Sequence, residues 1–351
     1  MTYKIGSNCL LFSFFISCLL MLQPAFSQSD WKATDLWLKK NINSFGGRAI
    51  LLVVKEGMPV YTKVLDDMGP IKKGIAARKG ISNWNEHSVV PVASASKWLS
   101  AALVMTFVDE GKLRLSDTVG LYLPILSEKG KGNITISDCL SHLTGTGSRI
   151  SENREYSRMA SMDQCIRYIA AKPMHSEPGE AFYYGSDGLQ IAAAILETIS
   201  GKKFETLFGE RIAGPLGMMN TTFGSGPVAL AAGGARSTVS DYMKFLLMIL
   251  NEGKVEGKQI LTAASVKEMQ ENRISGKVIA HSPDETRSWG YGFGEWVVNE
   301  HIVSSPGLFG TFPWINSKEK YAAILFTFNL KFKGRHDKYR ELIRLVDEAV
   351  K

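Results

Sequence analysis

The sequence is poor in the residues that build metal centres and cofactor sites. Its 351 residues include six histidines, which stand apart from one another at positions 87, 142, 175, 281, 301 and 336. Neither an H-E-x-x-H motif nor a paired spacing of histidines occurs, so metal catalysis is not expected. A glycine-rich phosphate loop of the form G-x-x-x-x-G-K-S/T is also missing. We therefore expect no metal and no cofactor.

Long apolar runs are missing from all of the chain except its beginning. Lys4 is followed by a mostly apolar run at 9–22 and by small residues up to Ser27, which is the pattern of a secretory signal peptide. This run is too short for a comfortable membrane span. A lipid anchor on Cys18 is the alternative, but the apolar residues after it favour cleavage after Ser27. We predict a periplasmic or secreted protein that loses residues 1–27 and has no stable membrane span.

Cysteines are few, and the charge does not indicate a nucleic-acid partner. Cleavage would leave Cys139 and Cys165, which could pair in an oxidising compartment, although their spacing does not decide it. The net charge of +7 comes from scattered basic residues, densest at 72, 73, 78 and 79, with no aromatic platform beside them. We expect a small-molecule or peptide substrate and no nucleic acid, and leave the oligomeric state open.

The order of the predicted elements indicates a sheet with a helical insertion. A helix at 31–43 precedes strand-like runs at 48–54 and 60–65, which a Glu56-Gly57 turn joins into a hairpin. Helices are predicted in the middle of the chain at 137–142, 162–171, 188–199, 203–211, 239–251 and 263–272. Strand patterns return at 290–298, 301–304, 311–315 and 321–328, before a last helix at 336–350.

This order predicts an α/β (α+β) fold class. An antiparallel sheet is flanked by the N- and C-terminal helices and carries a large, mostly helical insertion lobe. We predict a single domain, 28–351, whose sheet lobe covers about 28–93 and 286–351 and whose helical lobe covers about 94–285. A cleft between two such lobes is a usual position for a functional site.

The most informative stretch is the start of an apolar segment at Ser94. From Trp98 to Val108 nearly every residue is apolar or small, so we predict a helix surrounded by protein. Lys97 would lie one turn inside this helix, where a buried ammonium needs an interaction partner or a functional role. Residues three apart share a helix face, which brings the Lys97 amine close to the Ser94 hydroxyl.

The S-x-x-K spacing alone is weak evidence. It also starts at Ser29, Ser200 and Ser317, but only at Ser94 does it open an apolar helix. Two interpretations stay open on these residues: a serine activated by an amine, or a helix start whose lysine snorkels to solvent.

Several ordered motifs extend this pattern across most of the chain. Beside Ser94-Ala95-Ser96-Lys97, they are D-E-G-K-L-R-L-S-D at 109–117, L-S-H-L-T-G at 140–145, P-G-E-A-F-Y-Y at 178–184, G-P-L-G-M at 214–218 and G-G-A-R-S-T at 233–238. With these motifs the chain resembles the class C β-lactamase-like serine hydrolases, which include penicillin-recognising enzymes, D-amino-acid peptidases and esterases. The resemblance implies a DD-peptidase/β-lactamase-like fold and a nucleophilic Ser94.

The family's second motif, Tyr-x-Asn, falls on Tyr184-Gly185-Ser186. The resemblance implies that Tyr184 shares proton transfer with Lys97, which requires neighbouring cations to lower the phenol pKa from about 10. Ser186 replaces the asparagine, and its single short hydroxyl is a poorer ligand for a substrate amide. His142, within another motif, is expected to have a structural role.

The third motif, Lys-Thr-Gly or His-x-Gly in the family, falls on Ser305-Pro306-Gly307. By resemblance, Gly307 lets substrate approach the backbone, and the Leu308 amide forms an oxyanion hole with that of Ser94. Ser305 lacks the positive charge that lysine or protonated histidine would offer to a substrate carboxylate. Ser186, Ser305 and Gly307 are the predicted substrate-binding residues.

The two serine replacements favour a substrate that has neither a carboxylate nor an amide to be recognised. We predict an exported serine hydrolase that forms an acyl-enzyme on Ser94 and acts as an esterase on small ester or amide substrates. One alternative is a β-lactamase or D-alanyl peptidase that acts on β-lactams or cell-wall peptides. The other is a catalytically weak, penicillin-binding-like sensor.

Overall fold

The computed structural model describes residues 30–78, 83–147 and 152–351. The predicted signal peptide, with Cys18, lies outside the described residues, as does Lys79 of the basic group. Within these three ranges, no helix is both long enough and apolar enough to cross a membrane.

An antiparallel sheet of seven strands forms the centre of the described fold. Its strands are β1 Arg48–Lys55, β2 Met58–Asp66, β9 Gly290–Tyr291, β10 Trp296–Val297, β11 Ile302–Ser304, β12 Phe312–Asn316 and β13 Tyr321–Phe326. They stand in the order β2-β1-β13-β12-β11-β10-β9, so the first hairpin pairs with the last strand. Leu51 of β1 lies opposite Leu325 of β13.

Strand β1 is buried on both faces, which explains its unbroken run of apolar residues. Ile50 and Leu52 belong to the core beneath the helical insertion. Leu51 and Val53 belong to a second core beneath the first and last helices. Because successive side chains of a strand point to opposite faces, β1 contributes to both cores.

Helices cover both faces of the sheet. They are α1 Lys32–Asn41, α2 Pro70–Arg78, α3 Ser96–Asp109, α4 Pro124–Glu128, α5 Ile136–Ser141, α6 Asn153–Tyr156, α7 Met162–Ala170, α8 Asp187–Ser200, α9 Phe204–Phe208, α10 Val239–Leu250, α11 Ala263–Gln270 and α12 Arg335–Val350. Helices α1 and α12 pack on one face, and the insertion, through α3, α5, α7, α8 and α10, packs on the other. The predicted fold class is confirmed.

Two predicted elements differ from the structure. The helix predicted at 203–211 is α-helical only to Phe208 and continues as a π-helical turn, Gly209–Ala213. The strand predicted at 290–298 is the β9–β10 hairpin, because Gly294 adopts a φ of 76° and the Gly292 amide donates to the Glu295 carbonyl. A local pattern of apolar residues does not reveal this reversal.

Both cysteines of the described chain are buried and free. Cys139 lies in α5 and Cys165 in α7, and no disulfide joins them. The alternative of a disulfide between them is therefore not realised.

Short strand pairs outside the main sheet assemble the site from remote segments. β3 (Val90–Pro91) pairs with β5 (Arg236–Ser237), and β4 (Ala181–Tyr183) pairs in parallel with β8 (Val278–His281). A third pair joins β6 (Lys254–Val255) to β7 (Lys258–Gln259). The first pair holds the segment before Ser94 against the chain near 235, and the second holds the segment before Tyr184 against the chain near 281.

Candidate active site

Ser94 lies in a tight turn that opens a buried helix. A 3₁₀ turn, Ala93–Ala95, leads directly into α3, whose residues are buried as far as Phe107. Ala93 has a φ of 48°, a left-handed conformation that costs energy for a residue with a Cβ. The apolar segment is enclosed as predicted, and a strained residue immediately precedes the serine.

Lys97 is turned inward, toward the serine. Its Nζ lies 3.3 Å from the Ser94 Oγ and donates to the Ala232 carbonyl at 2.7 Å. The residue is 2% exposed, so the interpretation as a snorkelling lysine is wrong. Burial lowers the pKa of the Lys97 amine to about 7, and no carboxylate of the described residues forms an ion pair with it. An amine with this pKa is partly neutral at neutral pH and can accept a proton.

The Tyr184 phenol lies against both side chains. Tyr184 lines the same cavity as Ser94 and Trp296, and the Lys97 Nζ lies 4.8 Å from the centre of its ring. Burial raises the pKa of Tyr184 above its usual value; the polar side-chain groups of Ser94 and Trp296 oppose this rise, and the Glu285 carboxylate adds to it. The phenol therefore stays protonated at neutral pH, which suits a proton donor better than a base.

The backbone amides of Ser94 and Leu308 are available to a ligand. Neither amide donates a hydrogen bond to any of the described residues, whereas neighbouring amides such as those of Ala95 and Gly307 do. Leu308 and Ser94 also line the same cavity. Two free amides at the mouth of one cavity have the composition of an oxyanion hole.

Gly307 is required by the close approach of two backbone segments. A Cβ at this position would lie 2.2 Å from the Val92 carbonyl oxygen. The absent side chain therefore lets the loop pack against the segment that leads to Ser94. This contact accounts for the glycine without the approach of substrate that the resemblance implied, and Gly307 does not line the cavity.

The structure turns two predicted substrate-binding serines away from the cavity. Ser305 is 2% exposed, and its hydroxyl donates to the Gly294 carbonyl at 3.1 Å and lies 3.4 Å from the Ser94 carbonyl oxygen. Ser186 is buried at the start of α8, where its carbonyl accepts the Gln190 amide. Neither serine lines the cavity beside Ser94.

A small cavity connects the Ser94 hydroxyl to the protein surface. Its volume is about 110 Å³, and it is lined by Ser94, Tyr184, Pro283, Glu285, Thr286, Trp296, Pro306 and Leu308. Sequence analysis did not identify Glu285, Thr286 and Trp296 as site residues. They lie about two hundred positions after Ser94 and belong to no motif, so the sequence carries no local signal for them.

A buried arginine holds the loop that carries the Leu308 amide. Arg335, at the start of α12, donates from Nη2 to the Leu308 carbonyl at 2.5 Å and from Nη1 to the Gly307 carbonyl at 3.4 Å. Nη1 also lies 3.3 Å from an Oε1 of Glu285, on the cavity wall. Sequence analysis did not identify this residue either, because its contacts are all made through the tertiary structure.

His142 has the structural contacts of a helix end. It ends α5 in a left-handed conformation, and its Nε2 lies 3.0 Å from the Tyr291 hydroxyl. Burial, with a further effect of Lys97, lowers the pKa of His142 well below its usual value. Within the described ranges, no three histidine, cysteine or carboxylate side chains are grouped closely enough to hold a metal ion.

The chain is similar to a known protein family and to several known proteins. A family profile described as Beta-lactamase matches residues 44–348. The chain is 24% identical over 232 residues to the D-alanyl-D-alanine-carboxypeptidase/endopeptidase AmpH of Escherichia coli (strain K12), covering 59% of this chain and 58% of that protein. It is 25% identical over 191 residues to Esterase EstB of Burkholderia gladioli, covering 50% of this chain and 46% of that protein. The chain thus spans about half the length of these two relatives.

A solved structure extends the likeness to nearly the whole chain. A protein of Bacteroides dorei DSM 17855, named provisionally as a β-lactamase, superposes with a TM-score of 0.77 and 26% identity, covering 92% of this chain and 99% of that chain. The family profile alone spans most of the sequence. The chain therefore belongs to the β-lactamase family, whose members are serine hydrolases.

Proposed function

We propose that this protein is a serine hydrolase that forms an acyl-enzyme on Ser94. The observation that carries the proposal is the 3.3 Å contact between the Ser94 Oγ and the Nζ of a buried Lys97. Burial lowers the pKa of that amine to about 7, so a large fraction is neutral at physiological pH. A neutral amine within reach of a hydroxyl is the arrangement that activates a serine nucleophile.

In the proposed acylation, the Lys97 amine accepts the Ser94 proton while Oγ attacks the substrate carbonyl carbon. The oxyanion that forms accepts hydrogen bonds from the Ser94 and Leu308 amides. As the bond to the leaving group breaks, the Tyr184 phenol gives its proton to that group, and the Lys97 ammonium returns a proton to the phenolate. The pKa shifts support this sequence of steps, because burial lowers the pKa of the Lys97 amine and raises that of the Tyr184 phenol. The Lys97 ammonium is therefore the stronger acid of the two and returns its proton to the phenolate.

Deacylation repeats these steps with water as the nucleophile. Lys97 accepts a proton from the water that attacks the acyl carbon, and the same two amides stabilise the second oxyanion. The bond between Oγ and the acyl group then breaks, and the proton returns to Ser94. The acid is released and the starting protonation states are restored.

We further propose that the substrates are small esters. Ser186 and Ser305, which stand where the family carries asparagine and a cation, have buried hydroxyls outside the cavity, so neither supplies a ligand for an amide or a carboxylate. The cavity volume of about 110 Å³ suits a short acyl group. A relative named Esterase EstB is consistent with this choice.

Three reagents test the proposal on the purified protein: a fluorophosphonate probe, a labelled penicillin and a series of p-nitrophenyl esters. We expect fluorophosphonate labelling and ester turnover, both abolished in Ser94→Ala. Ser96→Ala is the matched control, since the Ser96 hydroxyl accepts the Ala235 amide and Ser96 does not line the cavity. Labelling of Ser94→Ala would refute the assignment of the nucleophile.

The same assays distinguish the alternatives. Turnover of a β-lactam, with esters left intact, would favour a β-lactamase or a D-alanyl peptidase, the activity named for the relative AmpH. A stable, stoichiometric penicillin adduct without turnover would favour a sensor. Either outcome would refute the ester specificity while leaving Ser94 as the nucleophile.

We also propose export with cleavage after Ser27. The proposal rests on the sequence pattern of residues 4–27. N-terminal sequencing of the protein recovered from the periplasm or medium is expected to begin at Gln28. Recovery from the cytoplasm with residues 1–27 attached would refute it.

A further inference from the structure

We infer that the cavity beside Ser94 selects substrates by charge, accepting a cationic group and rejecting an anionic one, and that Glu285 makes this selection. The inference rests on the proposed function and adds a substrate class to it: small esters that carry an ammonium-type group near the scissile carbonyl.

The first support is the composition of the cavity wall. Among the described residues that line it, Glu285 is the one with a formal charge. One carboxylate oxygen, Oε1, faces the Arg335 Nη1 at 3.3 Å. The other oxygen, Oε2, has no hydrogen-bond partner among the described residues. A carboxylate with one free oxygen on a cavity wall is an acceptor for a cation.

The second support is the position of the positive charges, which lie behind the wall. Arg335 is 7% exposed, and its remaining contacts are with the carbonyls of Phe332, Gly307 and Leu308, so it faces the protein. Lys97 does not line the cavity. The Glu285–Arg335 pair is therefore a dipole whose negative end faces the cavity.

The third support is that the field of Glu285 reaches the reacting groups. The carboxylate is one of the causes that raise the pKa of Tyr184, which lines the cavity beside Ser94. A charge that acts on the phenol also acts on a substrate group held beside it. The sign disfavours a substrate carboxylate and favours a cation.

Aromatic rings complete the chemistry of a cation site. Tyr184 and Trp296 both line the cavity, and their ring centres are 5.2 Å apart. Ring faces attract organic cations, and a tryptophan face attracts them best. A carboxylate together with two aromatic rings suits a quaternary or primary ammonium group.

Glu285 also pairs with Arg335, so the nearest guanidinium behind the wall is already matched by a carboxylate. The chain thus supplies its own carboxylate to this arginine. Substitution Glu285→Gln keeps an oxygen that can accept from Nη1, so the loop that carries Leu308 stays held while the charge is removed. This makes Glu285→Gln a test of charge alone.

The experiment compares p-nitrophenyl esters of matched shape. Trimethylammoniobutyrate carries the cation, its tert-butyl isostere is neutral, and sulfobutyrate carries the anion. A second series, of acetate esters followed by acid release, carries the same three groups on the alcohol. The readout is the ratio of kcat/KM for the cationic ester to that for the anionic ester within one protein, which cancels any change in Tyr184 common to all substrates.

In the wild type we expect the ratio of kcat/KM for the cationic ester to that for the anionic ester to exceed unity in at least one series. Glu285→Gln should reduce this ratio roughly tenfold, because a partly screened charge a few ångströms from the substrate produces an effect of that size. Asp284→Asn is the matched control, because this neighbouring carboxylate does not line the cavity, and its ratio is expected to stay within about twofold of wild type. Hydrolysis of the neutral ester with the same ratio in wild type and Glu285→Gln would overturn the inference and leave the proposed function standing.

A second measurement does not depend on turnover. Tetramethylammonium is expected to slow fluorophosphonate labelling of Ser94 in the wild type and to lose most of this effect in Glu285→Gln, with sodium at the same ionic strength as the reference. Equal protection by tetramethylammonium and sodium would overturn the inference. Absence of any Ser94 labelling or ester turnover would refute the proposed function itself, and the charge selection would fall with it.

Discussion

The fall of kcat/KM at acidic pH is the sharpest test of the role proposed for Lys97. Burial lowers the pKa of its amine to about 7, and only the neutral amine can accept the Ser94 proton. The neutral fraction falls to about one tenth at pH 6 and about one hundredth at pH 5. We expect kcat/KM for a neutral ester to follow this fraction and to level off above about pH 8. It should remain level to about pH 9.5, because burial keeps the Tyr184 phenol protonated there.

The imidazole of His142 is packed against Tyr184, and its titration must be separated from that of Lys97. His142 lies 4.8 Å, ring centre to ring centre, from Tyr184, but burial lowers its pKa well below the usual value and so away from an inflection near pH 7. His142→Gln is therefore expected to keep the inflection near pH 7. An inflection that disappears in this variant would assign the titration to the histidine and refute the reasoning.

A second control separates the amine from the phenol. Tyr184→Phe removes the proposed proton donor and should lower the plateau of kcat/KM by about two orders of magnitude. The inflection should move little, because burial alone causes the lowered pKa of Lys97. The assay is initial-rate hydrolysis between pH 5 and 9.5 with Ser94→Ala as the background. A rate that still climbs tenfold per unit at pH 9, as an ordinary lysine would give, contradicts the buried amine.

Three further predictions concern stability and the loop beside the cavity. The pKa of Lys97 is lower in the folded state than in the unfolded state, so the folded state gains stability as the pH rises. Between pH 7 and 9 the unfolding free energy of the wild type should rise by about 2–3 kcal/mol relative to that of Lys97→Met, measured by urea unfolding at both pH values. A difference between the two proteins that does not change with pH would contradict this prediction. Glu295 is fully buried with neither carboxylate oxygen hydrogen-bonded among the described residues, and burial raises its pKa well above the usual value. The folded state therefore keeps a proton that the unfolded state releases, so the wild type loses stability as the pH rises above 5. In the same assay, Glu295→Gln should gain stability relative to the wild type by up to about 1.4 kcal/mol per pH unit above pH 5. Arg335→Lys loses the planar fork whose two nitrogens hold the Gly307 and Leu308 carbonyls, so kcat for a neutral ester should fall by about tenfold to a hundredfold with KM within about threefold. The exposed Arg344→Lys on the same helix should change neither, and a change in KM alone would argue against a role in holding the Leu308 amide.

The sequence was sufficient for the elements whose physical signal is local. The apolar run after Lys97 predicts a buried helix, and α3 is buried along nearly its whole length. The turn at Glu56-Gly57 predicts a hairpin, and β1 pairs with β2 there. The i, i+3 spacing predicts that the Lys97 amine reaches Ser94, and the two atoms lie 3.3 Å apart.

The sequence was insufficient where function depends on segments that meet only in the tertiary structure. Glu285 and Arg335 are fifty residues apart, and each is an ordinary surface-type residue in its local context. Their ion pair and its place on the cavity wall exist because α12 packs beside the loop that carries Leu308. Gly307 likewise has a packing role that its motif does not reveal, because a Cβ at this position would collide with the Val92 carbonyl.

The lowered pKa of Lys97 and the raised pKa of Tyr184 together explain why no cation is needed at Ser305. A cation at position 305 would be needed to hold Tyr184 as a phenolate, but burial favours the protonated phenol. Among the cationic side chains that the structure describes, Lys97 alone lies against the ring of Tyr184. If Lys97 is the base and Tyr184 the acid, a phenolate is never required at rest, and a further positive charge beside it would only disfavour protonated Lys97 during the reaction. The Ser305 hydroxyl can then serve structure, by donating to the Gly294 carbonyl at the turn between β9 and β10. Loss of the cation and burial of the phenol are thus consistent parts of one proton-transfer scheme.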